Sequence, residues 1–477
     1  MRRRVGAICT TVGAALIIAA PAMAEMRLTP SVRVSETFSD NVDQDPDGLE
    51  DEAFLTDVTP GATLRYSGAR VNGSLDAFAT LRHQNAGDDK GIDAIPSVAG
   101  FGEAEAIPET LFLNASASLS SELLNTRGND TESNKTTVQN YSVGPTLRHR
   151  FGNFADGEVS YSFDQQLNSG GGNNLSDSRA HSGSVVLSSG TDFAKILWSL
   201  NASASQSERQ NDDNVSRRAA NVDLEYVVFR SFSLLGSGGY EKFDDGDPGN
   251  DVNGATWQAG FRWRPGPRTE ISLEYGENDG DESFTGDLRY QITPRTTLRA
   301  SYSEQLTVGQ ERLVQDLSFI GTDPNTGALI DTRTGLPFDP NASTTTLSND
   351  TERTKVFRLA LLGSRGRNTF SVSGSVEKTD QRGVGTTGDE NAYTFDLGWT
   401  RRISPRANID FSGSFERNEF ELNGREDTEF SVGGGYSYNL YTNITAFAQY
   451  TFSKQFSDVE ANEFTENLVT VGLNMSF

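Results

Sequence analysis

The final stretch of the chain, Val469-Thr470-Val471-Gly472-Leu473-Asn474-Met475-Ser476-Phe477, alternates strictly between two kinds of side chain. The odd-numbered positions are apolar and the even-numbered positions are polar or glycine. Because successive side chains of a β-strand point to opposite faces, this period of two predicts a strand with one apolar and one polar face.

The same alternation recurs upstream through nearly the whole chain. It is clearest at 444–452, 409–416, 393–400, 257–263 and 222–228. No segment shows the period of a helix. After residue 24, no apolar run approaches the roughly 18 residues that a transmembrane helix needs. The sequence therefore predicts an all-β protein.

Two kinds of connection separate the predicted strands, and they alternate along the chain. Short connections carry turn residues, as at Arg264–Pro267 and Ser404–Arg406, whereas long ones are rich in Asp, Asn and Gly, as at 40–51 and 244–251. Tight turns at one end and long loops at the other are typical of transmembrane antiparallel β-barrels. We predict such a barrel, with about 22 strands and a range of 18 to 24.

This count depends on one strand that the pattern marks only weakly. The strands near 71–82 and 111–121 must both run from a short turn towards a long loop, so a strand of opposite direction has to lie between them. Ser97–Ala106 supplies that strand, with 107–109 as the missing short turn. The total is then even, as in bacterial single-chain barrels, and both ends of the mature chain lie on the periplasmic side.

Aromatic residues separate this prediction from a water-soluble array of β-sandwiches, which would show the same period of two. They gather beside the short turns, where a soluble protein has no need of them. Trp and Tyr at strand ends are typical of the belts at the membrane interface. The aromatic residues concerned are Tyr66, Phe151, Phe154, Phe193, Phe229, Phe232, Trp263, Phe370 and Tyr441.

The N-terminus predicts where the chain is delivered. Three arginines follow Met1, an apolar run extends from Val5 to Ala20, and Ala22-Met23-Ala24 completes a secretory signal peptide to be cleaved before Glu25. We therefore expect a signal peptide at 1–24 and a single barrel at 25–477. The only cysteine, Cys9, lies in the signal, so the mature chain is expected to hold no disulfide and no thiolate metal site. A net charge of −25 argues against nucleic-acid binding through a basic face.

Both ends of the chain resemble known outer-membrane proteins. The C-terminal Val471-x-Leu473-x-Met475-Ser476-Phe477 resembles their membrane-insertion strand with its closing aromatic residue. The segment Ser35–Val42, followed by Val58-Thr59-Pro60-Gly61, resembles the opening of a group of outer-membrane β-barrel porins associated with exopolysaccharide and PEP-CTERM systems. This resemblance implies an outer-membrane location and a part in exopolysaccharide export, and it implies no catalytic motif.

The polar face of the strands should line the barrel lumen, and its charged side chains are the candidates for selectivity. Some of them are expected to pair across strands, which is a structural role. The lumen-lining candidates are Asp223, Glu225, Arg262, Arg264, Glu270, Glu274, Arg299, Arg358, Asp396, Arg402, Asp410 and Glu416.

The longest connection, about 309–352, allows two interpretations. Loops of this length are usually functional or disordered. It either folds into the mouth or lumen as a constriction or packs as a surface loop against its neighbours. Its apolar anchors for a constriction are Phe319, Ile320, Leu329, Ile330, Leu336 and Phe338.

The outer loops contain acidic clusters, but these clusters do not match a complete metal-binding motif, so we expect no resident metal. Asp43-x-Asp45-x-Asp47-Gly48 copies half of an EF-hand loop, but Phe54 stands where the bidentate Glu belongs. The clusters at 244–247 and 277–282 are expected to be solvated loops that bind divalent ions loosely at most. His83, His149 and His181 lack a nucleophile motif, so we expect no catalytic residue, no cofactor and no enzyme activity.

These observations predict a passive channel or an exopolysaccharide-export pore. The alternative is a structural or surface-interaction barrel whose acidic outer loops bind lipopolysaccharide, polymer or divalent ions. Expected partners are outer-membrane lipid and lipopolysaccharide, the outer-membrane insertion machinery and components of exopolysaccharide export, with no nucleic acid. Strands begin within a few residues of Glu25, so we also expect no plug domain; the long loop or a partner then closes the barrel, or the lumen is open.

Overall fold

The computed structural model describes residues 25–87, 90–123, 135–169, 177–210, 212–308, 318–322, 329–336, 338, 350–382, 388–421 and 424–477. The predicted signal peptide at 1–24 lies outside them. The described residues form β-strands and a single short 3-10 turn, Glu460–Asn462. Among them, no helix is long and apolar enough to span a bilayer.

The first half of the barrel consists of β1 (Glu25–Ser39), β2 (Ala53–Ser67), β3 (Val71–Gln84), β4 (Gly91–Ile107), β5 (Leu111–Leu123), β6 (Lys135–Phe151), β7 (Ala155–Ser169), β8 (Ser178–Ser189), β9 (Ile196–Arg209), β10 (Val215–Phe229), β11 (Phe232–Asp244) and β12 (Val252–Gly266). The rest of the chain adds β13 (Thr269–Asn278), β14 (Asp281–Thr293), β15 (Thr296–Val308), β16 (Ile320–Thr322), β17 (Leu329–Asp331), β18 (Thr351–Arg365), β19 (Asn368–Arg382), β20 (Glu390–Ser404), β21 (Ala407–Phe420), β22 (Arg425–Tyr441), β23 (Ile444–Ser457) and β24 (Phe464–Ser476).

Twenty-two of these strands form one closed antiparallel barrel, which confirms the predicted strand number. Each strand pairs with its neighbour in sequence, except that β15 pairs directly with β18. The circle closes between β1 and β24, in register from Ser31 opposite Ser476 to Ser39 opposite Leu468. Closure leaves the sheet without a free edge strand, and a sheet that crosses lipid requires this because lipid cannot satisfy unpaired backbone groups.

The weakly marked strand between the third and fifth is present. β4 covers the predicted 97–106 and pairs with β3 from Val71 opposite Ala104 to Gln84 opposite Gly91. It begins at Gly91, earlier than the predicted Ser97, so the outer connection between β3 and β4 is short. The turn at 108–110 follows it, and Glu109 adopts a positive φ of 56° there.

Alternate side chains divide each barrel strand between lipid and lumen. On β10, Val222, Leu224 and Tyr226 are 42%, 51% and 49% exposed on the outer surface, whereas the intervening Asp223 and Glu225 are half-buried inside. An outward apolar face of this kind is matched to the hydrocarbon of a bilayer. Five of the nine aromatic residues predicted beside the short turns are exposed, namely Phe151, Phe154, Phe229, Trp263 and Tyr441, and the other four are half-buried.

The connection between β13 and β14 differs from its prediction as an acidic loop. It is a two-residue turn at Asp279-Gly280, with φ of 54° and 74°. Two positive φ values are the signature of a type I′ turn, for which Asp-Gly is a preferred pair. The prediction was wrong because composition alone was read as a loop, whereas the flanking residues continue the ladder up to Asn278 opposite Asp281.

Candidate functional site

The long connection between β15 and β18 contains a small folded unit, which we call the lumen hairpin and define as residues 318–322, 329–336 and 338. β16 and β17 pair from Ile320 opposite Asp331 to Thr322 opposite Leu329. Further backbone hydrogen bonds stabilise it, among them those from Asp331 N to Leu336 O at 2.9 Å and from Phe338 N to Leu329 O at 3.1 Å. The Arg333 guanidinium lies 4.4 Å from the ring centre of Phe319.

One end of the lumen hairpin packs on the inner face of β4. Ile320 and Leu329 are 4% and 5% exposed and form a buried apolar cluster with Ala99, against which Phe101 and Phe338 also pack. Burying two aliphatic side chains in this way contributes about 3 to 6 kcal/mol to holding the hairpin in place. Ala99 and Phe101 belong to the inward set of β4, because the intervening positions on the strand face outward, as Ile92 shows at 77% exposure.

The other end of the lumen hairpin contacts the opposite wall. Nη1 of Arg299 on β15 donates to the carbonyl oxygen of Thr332 at 2.8 Å. A side chain placed on Gly335 would come within 3.6 Å of that guanidinium and 3.7 Å of Leu362 on β18. Because β4 and β15 lie halfway round the 22-stranded barrel from each other, the hairpin bridges the lumen from wall to wall.

The six predicted anchor residues all belong to this hairpin. Ile320, Leu329 and Phe338 make the contact with β4, and Phe319 stacks with Arg333 and remains 37% exposed. Ile330 and Leu336 are half-buried within the unit. The structure thus places the segment inside the barrel, the first of the two interpretations; that it limits flow through the lumen stays a prediction.

Several predicted lumen residues meet near the β15 end of the hairpin. Glu225 forms an ion pair with Arg262, and Glu270 accepts from Arg264 at 2.8 Å and lies 3.8 Å from Arg262. A cavity of about 460 Å³ lies between this wall and Thr332–Thr334. We call it the arginine pocket; its charged lining is Arg262, Glu270, Asp287, Arg289, Arg299, Arg333 and Arg358.

The remaining predicted lumen residues are spread round the barrel. The Asp223 carboxylate accepts hydrogen bonds from Ser199, Asn201 and Asn221 at 2.5–2.9 Å. Glu274 is half-buried on β13. On the far wall, contacts are local: Asp396 accepts from Ser373 at 3.5 Å, Glu416 accepts from Asn418 at 2.8 Å, Asp410 lies against Gly435, and Arg402 is exposed near its turn.

A second cavity, of about 370 Å³, lies beside the other end of the hairpin and carries no charge. Its lining includes Ser318 and Ile320 of the hairpin, Phe101 of β4 and a wall of hydroxyls from β5 to β9. Neighbouring hydroxyls are in hydrogen-bonding contact, as Ser160 Oγ and Ser184 Oγ are at 2.7 Å. We define the serine wall as Ser116, Ser142, Ser160, Ser184 and Ser203.

The outer end of β15 packs across the barrel rim. Leu306 and Val308 are 1% and 0% exposed and pack with Val215, Phe243 and Val252, which face inward on β10, β11 and β12. The start of the connection that contains the hairpin therefore packs against the inner face of β10 to β12, and the Leu306 N–H donates to Asp279 of the short β13–β14 turn at 3.1 Å.

Acidic residues near this rim are engaged in a polar network. Arg217 pairs with Asp279 at 2.7 Å, and Arg353 and Arg382 both reach Asp281, at 2.7 and 2.6 Å. Asp245 accepts from Asn250 at 2.9 Å and also from Thr351. The expectation of solvated acidic loops at 244–247 and 277–282 is therefore wrong for Asp245 and Asp279, which are 7% and 3% exposed and bound by polar partners. Asp281 is exposed as expected, although two arginines pair with it.

Sequence reasoning missed three charged members of the arginine pocket, Asp287, Arg289 and Arg333, and it also missed the serine wall. Arg289 alternates with Asp287 on the inward face of β14, so the period of two was a sufficient signal for it. Arg333 had no such signal, because its place depends on how the hairpin folds into the lumen. The residues of the serine wall are scattered in the sequence, and they form a cluster only because adjacent strands pair in the barrel.

Two family models match the chain. The model described as "Gram-negative porin" matches residues 86–310, and the model described as "Putative beta-barrel porin 2" matches residues 367–477. The first range includes β4 to β15, and the second covers the barrel from the turn before β19 to the C-terminal strand. No curated protein matches the sequence.

Solved structures share the fold at low sequence identity. The siderophore receptor PirA from Acinetobacter baumannii aligns with a TM-score of 0.50 and 10% identity, over 94% of this chain and 80% of that one. The FrpB iron transporter from Neisseria meningitidis, F3-3 variant, aligns with a TM-score of 0.50 and 11% identity, over 94% of this chain and 81% of that one. At such identity the likeness extends to the barrel architecture alone.

Proposed function

Because this chain is a porin-like β-barrel of the outer membrane, we propose that it acts as a passive channel for hydrophilic solutes, narrowed by the lumen hairpin. The observation that supports this most is the bridge from Ala99 and Phe101 on β4 to Arg299 on β15. A barrel of this strand number encloses more space than strand side chains can fill. The hairpin reduces that space and leaves polar cavities beside it.

The lining of these cavities supports solute passage rather than a sealed core. One cavity presents hydroxyls and the other presents guanidinium and carboxylate groups, and both include backbone or side chains of the hairpin. Channel selectivity follows from the charges and hydrogen-bonding groups at such a constriction. In this proposal the hairpin and not a separate plug domain restricts the lumen, and outer-membrane lipid and lipopolysaccharide surround the barrel.

Export of an exopolysaccharide is the second candidate, and the serine wall favours it. Its hydroxyls line one side of the lumen without a charged group among them, and Phe101 supplies an apolar surface at its edge. Such a surface exchanges hydrogen bonds with a neutral polyhydroxylated chain without holding it tightly. This candidate also requires the hairpin to leave a path wide enough for a polymer.

Conductance in planar bilayers tests the proposal. The wild-type barrel should give discrete single-channel currents, and replacing residues 318–338 by a short Gly-Ser linker should raise the conductance severalfold because the bridge is removed. A matched deletion in the outer connection between β1 and β2 should leave the conductance unchanged. Absence of current in both the wild type and the hairpin deletion would contradict the channel and leave the surface-interaction barrel.

Polymer export makes a different prediction in the same experiment. A neutral oligosaccharide added to the wild-type channel should interrupt the current as it enters, and a variant in which Ser160 and Ser184 become valine should shorten those interruptions. If only small ions and monosaccharides affect the current, the export candidate fails while the passive channel stands.

A further inference from the structure

The arginine pocket contains more positive than negative charge, although the chain as a whole carries a net charge of −25. Five arginines line it, against the carboxylates of Glu270 and Asp287. Four of the arginines come from barrel strands, and Arg333 comes from the lumen hairpin. The pocket therefore exists only where the hairpin meets the wall of β12 to β18.

Two of these arginines face each other directly. Arg289 on β14 and Arg299 on β15 are opposite partners in the ladder, and both belong to the inward face. Like charges at directly opposite positions destabilise a sheet. Such a pair is expected where a counter-charge is supplied from outside the strands.

Two of the carboxylates nearby, those of Glu270 and Asp331, are paired with other arginines, whereas Asp287 lines the pocket and forms no ion pair with an arginine that the structure describes. Glu270 lies opposite Arg289 in register, yet its carboxylate accepts from Arg264 at 2.8 Å. Asp331 of the hairpin is held by Arg333 at 2.7 Å. Among the residues that the structure describes, no carboxylate lies within 4.0 Å of the Arg289 or Arg299 guanidinium, and the Arg299 bonds to the hairpin go to neutral carbonyl oxygens.

We propose that the arginine pocket is a binding site for the oxyanion group of a solute, such as the carboxylate of a sugar acid. Guanidinium groups bind carboxylates through paired, charge-assisted hydrogen bonds, which are among the stronger polar contacts in proteins. A carboxylate between Arg289 and Arg299 supplies the missing counter-charge, and the half-buried Arg333 and Arg358 line the same pocket. This inference rests on the proposed channel, because it names the class of solute that the channel selects.

The uncharged cavity at the other end of the hairpin provides a comparison within the same molecule. It offers hydroxyls and no guanidinium, so it has no means of preferring an anion to a neutral solute. The hairpin thus has one neutral and one cationic side, and only the cationic side should distinguish a sugar acid from the corresponding neutral sugar.

Isothermal titration of the mature barrel in neutral detergent tests the site, with glucuronate, sulfate and glucose as probes. Glucuronate should bind to the wild type, and the R289Q/R299Q variant should bind it about tenfold or more weakly. The R289K/R299K variant should retain part of the affinity, because lysine keeps the charge and loses the paired geometry. Glucose should bind equally to wild type and R289Q/R299Q.

The matched control is R148Q/R150Q, which removes the same charge from two ion-paired arginines at the end of β6. Its glucuronate affinity should equal that of the wild type. Sulfate bound in an arginine-dependent way would show that the pocket recognises oxyanions in general; sulfate without effect would restrict it to carboxylates. Equal glucuronate affinity of wild type and R289Q/R299Q, or no binding to either, would overturn the inference.

The same variants in planar bilayers separate this inference from the channel itself. Loss of glucuronate affinity in R289Q/R299Q together with currents in both proteins supports both proposals. Arginine-dependent binding by a barrel that passes no current would leave the site standing and remove the channel function. Currents in both proteins with unchanged glucuronate binding would remove the site and leave the channel.

Discussion

At the scale of single residues, Asp279 shows how burial changes the meaning of an acidic side chain. It is 3% exposed at the β13–β14 turn, pairs with Arg217 at 2.7 Å and accepts from the Leu306 backbone N–H at 3.1 Å. Sequence composition placed it in a solvated acidic loop. Its partners lie on β10 and β15. Because these contacts form only when the barrel closes, no local sequence pattern predicts them.

Replacing Asp279 by alanine should therefore destabilise the barrel. The change leaves the Arg217 guanidinium and the Leu306 N–H without their acceptor, and we expect a loss of about 2 to 3 kcal/mol, below the full value for a buried pair because Arg217 is one-third exposed. Urea unfolding of the refolded barrel measures it. Asp47→Ala in the exposed β1–β2 loop should change stability by less than about 0.5 kcal/mol; equal effects of the two variants would contradict this account.

At the scale of elements, the strands and the lumen hairpin differ in how far the sequence reveals them. The alternation of side chains is a local property, so even the weakly marked β4 could be located from direction and turn length. The six anchor residues of the hairpin were also identified, but the choice between lumen and surface depended on Ala99 and Phe101, more than 200 residues earlier in the chain. The position of the hairpin in the lumen therefore depends on tertiary packing.

Weakening the contact on β4 should release one end of the hairpin. Ile320→Asn places an amide in an apolar cluster that offers it no partner, at a cost of about 2 kcal/mol or more. We expect a higher single-channel conductance and larger current fluctuations than in the wild type. The control is Leu49→Asn, at a side chain that is 68% exposed in an outer loop. A conductance unchanged by Ile320→Asn would mean that this contact does not hold the hairpin.

At the scale of the whole molecule, closure between the first and last strands decides whether a barrel forms. Gly472 on β24 lies opposite Ser35 on β1. A Cβ there would approach the Val34 carbonyl oxygen to 2.5 Å and the Phe447 ring to 2.6 Å. The strand number followed from the sequence because each strand repeats one local rule, whereas this close approach at the seam depends on how β1 and β24 meet.

Gly472→Ala should lower the yield of folded barrel. The backbone carbonyl at the seam cannot move away as a side chain could, and overpacking of this kind costs about 1 to 3 kcal/mol. The fraction of protein with the shifted electrophoretic mobility of a folded barrel, before and after boiling, measures the yield. Gly413→Ala is the control, because its Cβ would meet only the Ser431 carbonyl oxygen at 3.8 Å. Equal yields for both variants would contradict the close approach of β1 and β24 at Gly472.

The proposed channel requires the lumen hairpin to lie in the path of solutes, and modification of a single cysteine tests whether it does. Thr334 lines the arginine pocket, and the sequence after the predicted signal contains no cysteine, so Thr334→Cys gives a unique target. A bulky, charged thiol reagent added to a conducting Thr334→Cys channel should reduce its current in one step, and Leu49→Cys in the outer loop should respond little. Complete modification of Thr334→Cys with an unchanged single-channel current would contradict the claim.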